Sequence, residues 1–122
     1  MSILAAIKSG VDINSITKSI IYLKPAEGRL EKIGELKNNS KVILDYAHTP
    51  QALSTVLTNI KEQFPEGKIR LVFGCGGDRD KSKRLKMGRI ASKFADVIYL
   101  TDDNPRSENP KKIRSDIKKG IK

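Results

Sequence analysis

Apolar and polar positions change their spacing several times along this chain, and each change marks an element. Ile3, Leu4, Ala5, Ala6 and Ile7 form a short helical piece ended by Gly10. Ile13, Ile16, Ile20 and Leu23 then recur at helical intervals, and Asp12 stands where it can cap a helix over 13–23. Lys24-Pro25-Ala26-Glu27-Gly28 reads as a linker, because the proline stops the helix and the glycine frees the backbone. Leu30 to Leu36 alternates apolar with charged residues, as an edge or half-buried strand does. Asn38-Asn39-Ser40 is a turn, and Val42-Ile43-Leu44 a short buried strand. Thr49 and Pro50 open the next helix as N-cap and first residue, with Leu53, Val56, Leu57 and Ile60 inward and an end near Phe64-Pro65. Gly67 turns the chain into strand Ile69–Phe73. A glycine-rich loop, a basic helix from Arg84 to Phe94, strand Val97–Leu100, a polar loop and a helix from about Pro110 follow.

Strands alternating with helices of this length predict an α/β fold with a parallel sheet of three core strands and one lead-in strand. The pattern is incomplete. The last helix has no strand to return to, so Ile113, Ile117 and Ile121 are expected to be only partly covered. Ser2 to Ser9 reads like the inside of a helix already under way, so Met1 is not expected to be a natural start. The chain reads as a piece cut at both ends.

Composition adds limits. The 122 residues suit one domain or part of one, with 38% apolar residues. Lys and Arg number 24 against 14 Asp and Glu, a net charge of +10 that invites an anionic partner. Most of the excess is lysine scattered over polar helix faces, with no stacking aromatics between the basic residues, so nucleic acid is not expected. One cysteine, Cys75, excludes an internal disulfide and a cysteine-cluster metal site, and fits a reducing cytoplasm. No apolar run approaches the roughly 20 residues of a membrane span, and no membrane partner or signal peptide is expected.

Loops at the carboxyl ends of neighbouring parallel strands share one crevice, the usual ligand site of such sheets. Two polar loops qualify here: Gly74-Cys75-Gly76-Gly77-Asp78-Arg79-Asp80 and Thr101-Asp102-Asp103-Asn104-Pro105-Arg106. The first is not a dinucleotide fingerprint, since Arg79 or Asp80 stands where the third glycine belongs, and it is not a Walker loop. No base is placed beside Cys75, so it is not read as a nucleophile. Arg79 and Arg106 carry planar forks suited to a carboxylate, Asn104 adds an amide donor and acceptor, and Pro105 stiffens the turn. Such a set suits a ligand with a free carboxylate and amine. Equally, Arg79 could pair with Asp78 or Asp102 and simply brace the loops. Asp45, at a strand end, could hold a ribose hydroxyl or a Mg2+-bound water, or it could cap the next helix with Thr49. His48, the single histidine, has no second ligand beside it for a metal site.

Lys24-Pro25 through Gly28-Arg29, Asp45-Tyr46-Ala47-His48-Thr49-Pro50, Phe73 to Lys81, Met87-Gly88 and Thr101 to Arg106 together closely resemble the Mur ligases, in particular those that add diaminopimelate. The resemblance covers essentially the whole chain but only part of the family's length. It implies that residues 1–24 are the tail of a central ATPase domain. Residues 25–122 would be the N-terminal part of a C-terminal domain, a three-layer Rossmann-like partial parallel sheet. The family's P-loop, carbamylated lysine and Mg2+ ligands would lie upstream, and a Gly-Lys-Gly-His-Glu-type motif downstream. The implied reaction is ATP-dependent amide formation in cytoplasmic peptidoglycan synthesis: ATP phosphorylates the D-glutamyl carboxylate of UDP-N-acetylmuramoyl-L-alanyl-D-glutamate, and the amine of meso-diaminopimelate attacks the acyl phosphate. ATP and Mg2+ are the implied cofactors, and a monomer the implied full-length state.

By the same resemblance Arg79, Asp103, Asn104, Pro105 and Arg106 bind meso-diaminopimelate, with Arg79 and Arg106 on its distal carboxylate. Arg29, Asp45 and His48 reach ATP when the domains close. No catalytic or metal-binding residue is expected within the chain, and alone it is expected to be inactive. Leu85 departs from the family's pattern, standing where proline is common. The alternatives are a lysine-adding relative, whose substrate has no second carboxylate at that end, and a small basic α/β nucleotide- or nucleic-acid-binding module complete in itself.

Overall fold

A computed structural model describes residues 3–23 and 26–122. Met1, Ser2, Lys24 and Pro25 lie outside the described residues, so the linker read at Lys24-Pro25 and the reading of Met1 receive no structural account. The chain forms two compact units that divide between Leu44 and Asp45.

The first unit holds two short helices and a hairpin. Helix α1 spans Ile3–Lys8, and Gly10, at φ +86°, turns the chain out of it. Helix α2 spans Ile13–Ile20, shorter than the helix to Leu23 that the apolar spacing predicts. Its cap is the expected one: the Asp12 carboxylate accepts the backbone N–H groups of Asn14 and Ser15 at 3.0 Å each. Of the face read as inward, only Ile16 is buried; Ile13, Ile20 and Leu23 are exposed, Leu23 by 73%. Strand β1 (Glu31–Glu35) pairs antiparallel with β2 (Lys41–Leu44), with an irregularity between Lys32 and Gly34. The hairpin closes through Leu36 N–H to Ser40 O and Asn39 N–H to Leu36 O, with Asn39 left-handed at φ +62°. Val42 and Leu44 are largely exposed. The expected buried core strand at 42–44 is therefore corrected to a hairpin strand: its backbone partners lie on β1, at hairpin distance, rather than on a parallel neighbour.

The second unit carries the parallel pairing. Helix α3 (Pro50–Gln63) is capped by the Thr49 hydroxyl, which accepts Ala52 N–H at 3.2 Å, and it ends before Pro65 as the sequence predicts. Strands β3 (Arg70–Phe73) and β4 (Val97–Leu100) run parallel and in register, joined across α4 (Ser82–Phe94). Helix α5 (Pro110–Lys118) starts at an Asn109 cap. Leu53, Leu57, Cys75, Met87, Ile113 and Ile117 form the buried core, and Leu71, Phe73 and Leu100 pack on it from the sheet.

Two expectations change here. Among the described residues the parallel sheet has two strands rather than three, and helices cover one of its faces. On the other face Val72, Val97 and Tyr99 are exposed by 64%, 40% and 53%. The α/β class is as expected, with helices packed on a small parallel sheet in this unit. Conversely, Ile113 and Ile117 are fully covered, at 3% and 0% exposure, rather than half covered. The reason lies in two glycines. A Cβ on Gly88 of α4 would overlap the Ile117 carbonyl oxygen and stand 3.2 Å from Gly120 Cα, and a Cβ on Gly120 would overlap the Leu85 carbonyl. Without side chains at these points α5 seats backbone to backbone on α4.

Candidate functional site

The site sits where β3 and β4 end. Their two loops lie against each other through glycine. A Cβ on Gly74 would stand 2.5 Å from Thr101 O, and one on Gly77 would overlap the Pro105 carbonyl. Gly77 N–H donates to Asn104 O at 2.9 Å, and Thr101 N–H to Phe73 O at 3.1 Å. Gly74 and Gly77 are thus needed for close approach of one loop to the other.

Arg106 is left-handed, at φ +50°. Two contacts hold it there: its N–H donates to Asn104 Oδ1 at 3.3 Å, and its Nη1 donates to Gly77 O at 2.7 Å. Asp78 is left-handed too, at φ +51°. Its carboxylate accepts the Ser107 hydroxyl at 2.7 Å and the Ser107 N–H at 3.1 Å, which holds its pKa below the usual carboxylate value.

Arg79, Arg106, Asp103 and His48 line one cleft of about 530 Å³, with Tyr46, Thr49, Asp80 and Lys83. Of the residues singled out in the sequence, these four are brought together. Asn104 and Pro105 are not among the cleft lining; Asn104 shapes the loop from behind. Asp45 is also outside the lining, and its carboxylate accepts Ala47 N–H at 2.8 Å, a local turn that aims His48. His48 Nδ1 lies 3.2 Å from Tyr46 O, and the two rings are 5.3 Å apart. Arg29 belongs to the other unit.

The bracing alternative for Arg79 does not hold. Asp78 is engaged by Ser107, and Asp102 pairs with Arg114. Among the described residues no hydrogen bond or ion pair ties Arg79, and none ties the Asp103 carboxylate. The cleft therefore presents one uncommitted guanidinium, a second held at one nitrogen, and an uncommitted carboxylate. That donor set fits a ligand carrying a carboxylate and an ammonium group. Among the described residues no three His, Cys, Asp or Glu side chains gather as a metal site.

Sequence reasoning missed the supports. Lys83 Nζ donates to His48 O at 2.9 Å and ties α4 to the loop before α3. Arg84, fully buried, forks onto Glu108 at 2.8 and 3.0 Å and reaches Asp116 at 3.3 Å. Glu108 also accepts Asp78 N–H at 2.7 Å, and its pKa falls to about 2, chiefly through the Arg84 hydrogen bonds. A signal existed: Arg84 shares a helical face with Met87, Gly88 and Ala91, at spacings of three, four and seven, so a charge was due to be buried there.

Residues 28–122 match the family model described as Mur ligase, glutamate ligase domain. The chain is 49% identical over 112 residues to a UDP-N-acetylmuramoyl-L-alanyl-D-glutamate–2,6-diaminopimelate ligase of Brucella melitensis biotype 1, covering 92% of this chain and 23% of that protein. It is 47% identical over 113 residues to the ligase of the same name from Rickettsia felis, covering 92% of this chain and 21% of the relative. A solved structure of a ligase of that name superposes with a TM-score of 0.69 at 39% identity, over 98% of this chain and 24% of that one. The chain spans about a quarter of the length of these relatives. A family model matches most of the chain, and the chain belongs to the Mur ligase family through its glutamate ligase domain.

Proposed function

We propose that this chain is part of an ATP-dependent ligase that adds meso-diaminopimelate to UDP-N-acetylmuramoyl-L-alanyl-D-glutamate in cytoplasmic peptidoglycan synthesis, and that its cleft holds the incoming amino acid. One observation carries the reading: Arg79, Arg106 and Asp103 converge on a single cleft, with Arg79 and Asp103 uncommitted. The two guanidinium groups take the distal carboxylate, and Asp103 takes the ammonium group beside it. Asn104 and Pro105 set the loop that presents Arg106. The names of the relatives and the start of the family match at residue 28 support placing residues 25–122 in the C-terminal domain and 1–24 in the ATPase domain.

In this reading the chain contributes binding and aim. ATP supplies the activated acyl phosphate. The cleft fixes the far end of the amino acid, so that its reacting amine is presented in one orientation. Arg29, Asp45 and His48 are proposed to meet ATP in the closed enzyme. Lysine would leave the arginines facing a cation, with no carboxylate to replace the lost water.

The test is ADP release by the full-length ligase given UDP-N-acetylmuramoyl-L-alanyl-D-glutamate, ATP and Mg2+, with meso-diaminopimelate or L-lysine. Release with diaminopimelate alone is expected, and Arg106→Ala should weaken its use by about 2–4 kcal/mol, the cost of one broken charge pair. Release with lysine would keep the ligase and overturn the reading of the arginines. Release with neither would favour a basic binding module.

A further inference from the structure

Both arginines of the cleft stand at strained backbone. Asp78, immediately before Arg79, and Arg106 itself occupy the left-handed region that side chains other than glycine rarely adopt. One connected set of hydrogen bonds spans both loops behind them. Asp78 reaches across to Ser107, the residue after Arg106, and Glu108 reaches back to the N–H of Asp78. Glu108 is in turn gripped by the fork of Arg84, which has no exposed surface. The chain of contacts runs from the middle of the helical layer to the two residues that flank the cleft.

Arg84 is poorly explained as core. Its Nε is buried without a partner. A buried ion pair is commonly no more stabilising than a hydrophobic residue of the same size, so packing alone would favour Met or Leu at this position. What the guanidinium does that Met cannot is fix the direction of Glu108 and thereby the backbone at Asp78.

We infer that Arg84, acting through Glu108, Asp78 and Ser107, is a positioning residue that sets the spacing of Arg79 and Arg106 for the incoming amino acid. It touches no substrate. The inference rests on the proposed amino-acid site and assigns its rigidity to this latch. Lys81 also meets Glu108, at 3.4 Å, but it is exposed and lends little.

The test uses the full-length ligase and three Michaelis constants, for meso-diaminopimelate, ATP and the nucleotide substrate. Ser107→Ala and Asp78→Asn alter exposed side chains, and asparagine tolerates the left-handed backbone. Arg84→Met removes the anchor, and Arg84→Lys restores one charged contact. Each of the first three should raise KM for diaminopimelate by about tenfold, the weight of one hydrogen bond to a charged group, while the other two constants move less than about twofold. Arg84→Lys should recover part of the loss. In an Arg79→Ala, Arg106→Ala background the same changes should have no further effect on that constant. If Arg84→Met does not fold, the two surface variants carry the test. Equal movement of all three constants, or a full effect in the arginine-free background, would show a merely structural role. Unchanged diaminopimelate KM in latch variants, with a large rise in Arg106→Ala, would sink the latch and leave the site. No rise in Arg106→Ala would remove the site, and the inference with it.

Discussion

Gly88→Ala pits two effects of known size against each other. In an open helix alanine is more stable than glycine by about 1 kcal/mol, so propensity alone would strengthen α4. The structure argues the other way. The new Cβ would overlap the Ile117 carbonyl oxygen, and it would lie 3.2 Å from both the Ile117 carbonyl carbon and Gly120 Cα, inside the 3.4–4 Å of ordinary contact. Every atom it meets is backbone, so no rotamer can move aside; α5 must shift as a whole. Overpacking costs about 1–3 kcal/mol, and a backbone collision belongs at the upper end. Subtracting the propensity gain leaves a net loss of about 2 kcal/mol. Lys86, exposed two residues earlier, calibrates the gain: Lys86→Ala should exceed Lys86→Gly by about 1 kcal/mol. The order of alanine and glycine should thus reverse between positions 86 and 88. The assay is urea unfolding followed by far-ultraviolet circular dichroism, because the chain has no Trp. At about 1 kcal/mol per molar for a unit this small, the midpoint should fall by about 2 M. A Gly88→Ala midpoint equal to or above the parent's would refute the close seating of α5 on α4.

Glu108 has a folded pKa of about 2 against an ordinary 4.5. The unfolded chain therefore binds the proton first, so this contribution is complete above about pH 4.5 and is lost as pH falls toward about 2. Asp78 and Asp116, both lowered, act in the same direction, and Glu108→Gln should flatten the acid limb of a stability-versus-pH curve. Cys75, 3% exposed and with its thiol pKa raised by burial, should react with a thiol reagent only at the rate of unfolding; fast labelling of the native chain would contradict its packing on Met87. Asn109→Ala removes the side chain that accepts Lys111 N–H at 2.9 Å, and it should lower stability by about 1 kcal/mol in the same urea assay.

The elements readable in the sequence were those with local causes. Thr49-Pro50, Asp12 and the apolar spacing of α3 fix helix starts and faces by chemistry within a few residues. The pairing of 42–44 was not local: three apolar residues in an extended run suit a hairpin or a parallel core alike, and the choice lies in the partner strand. The cover over Ile113 and Ile117 was misjudged because Gly88 and Gly120 act across 32 residues of chain, through the side chains they lack. At the site, charge and loop position were enough to pair Arg79 with Arg106. The geometry that frees Arg79 depends on Ser107 and Arg114 engaging the two acids, and spacing carries no sign of that.

The glycine seam between the two loops also bears on any attempt to redesign the cleft. Because Gly74 and Gly77 admit the 101–106 loop at backbone distance, the two loops are one moulded part. Transplanting 101–106 alone from a relative with a different amino-acid preference would bring in a backbone path cast against another surface. If the cleft selects the amino acid as proposed, an exchange of specificity has to move residues 74–79 and 101–108 together.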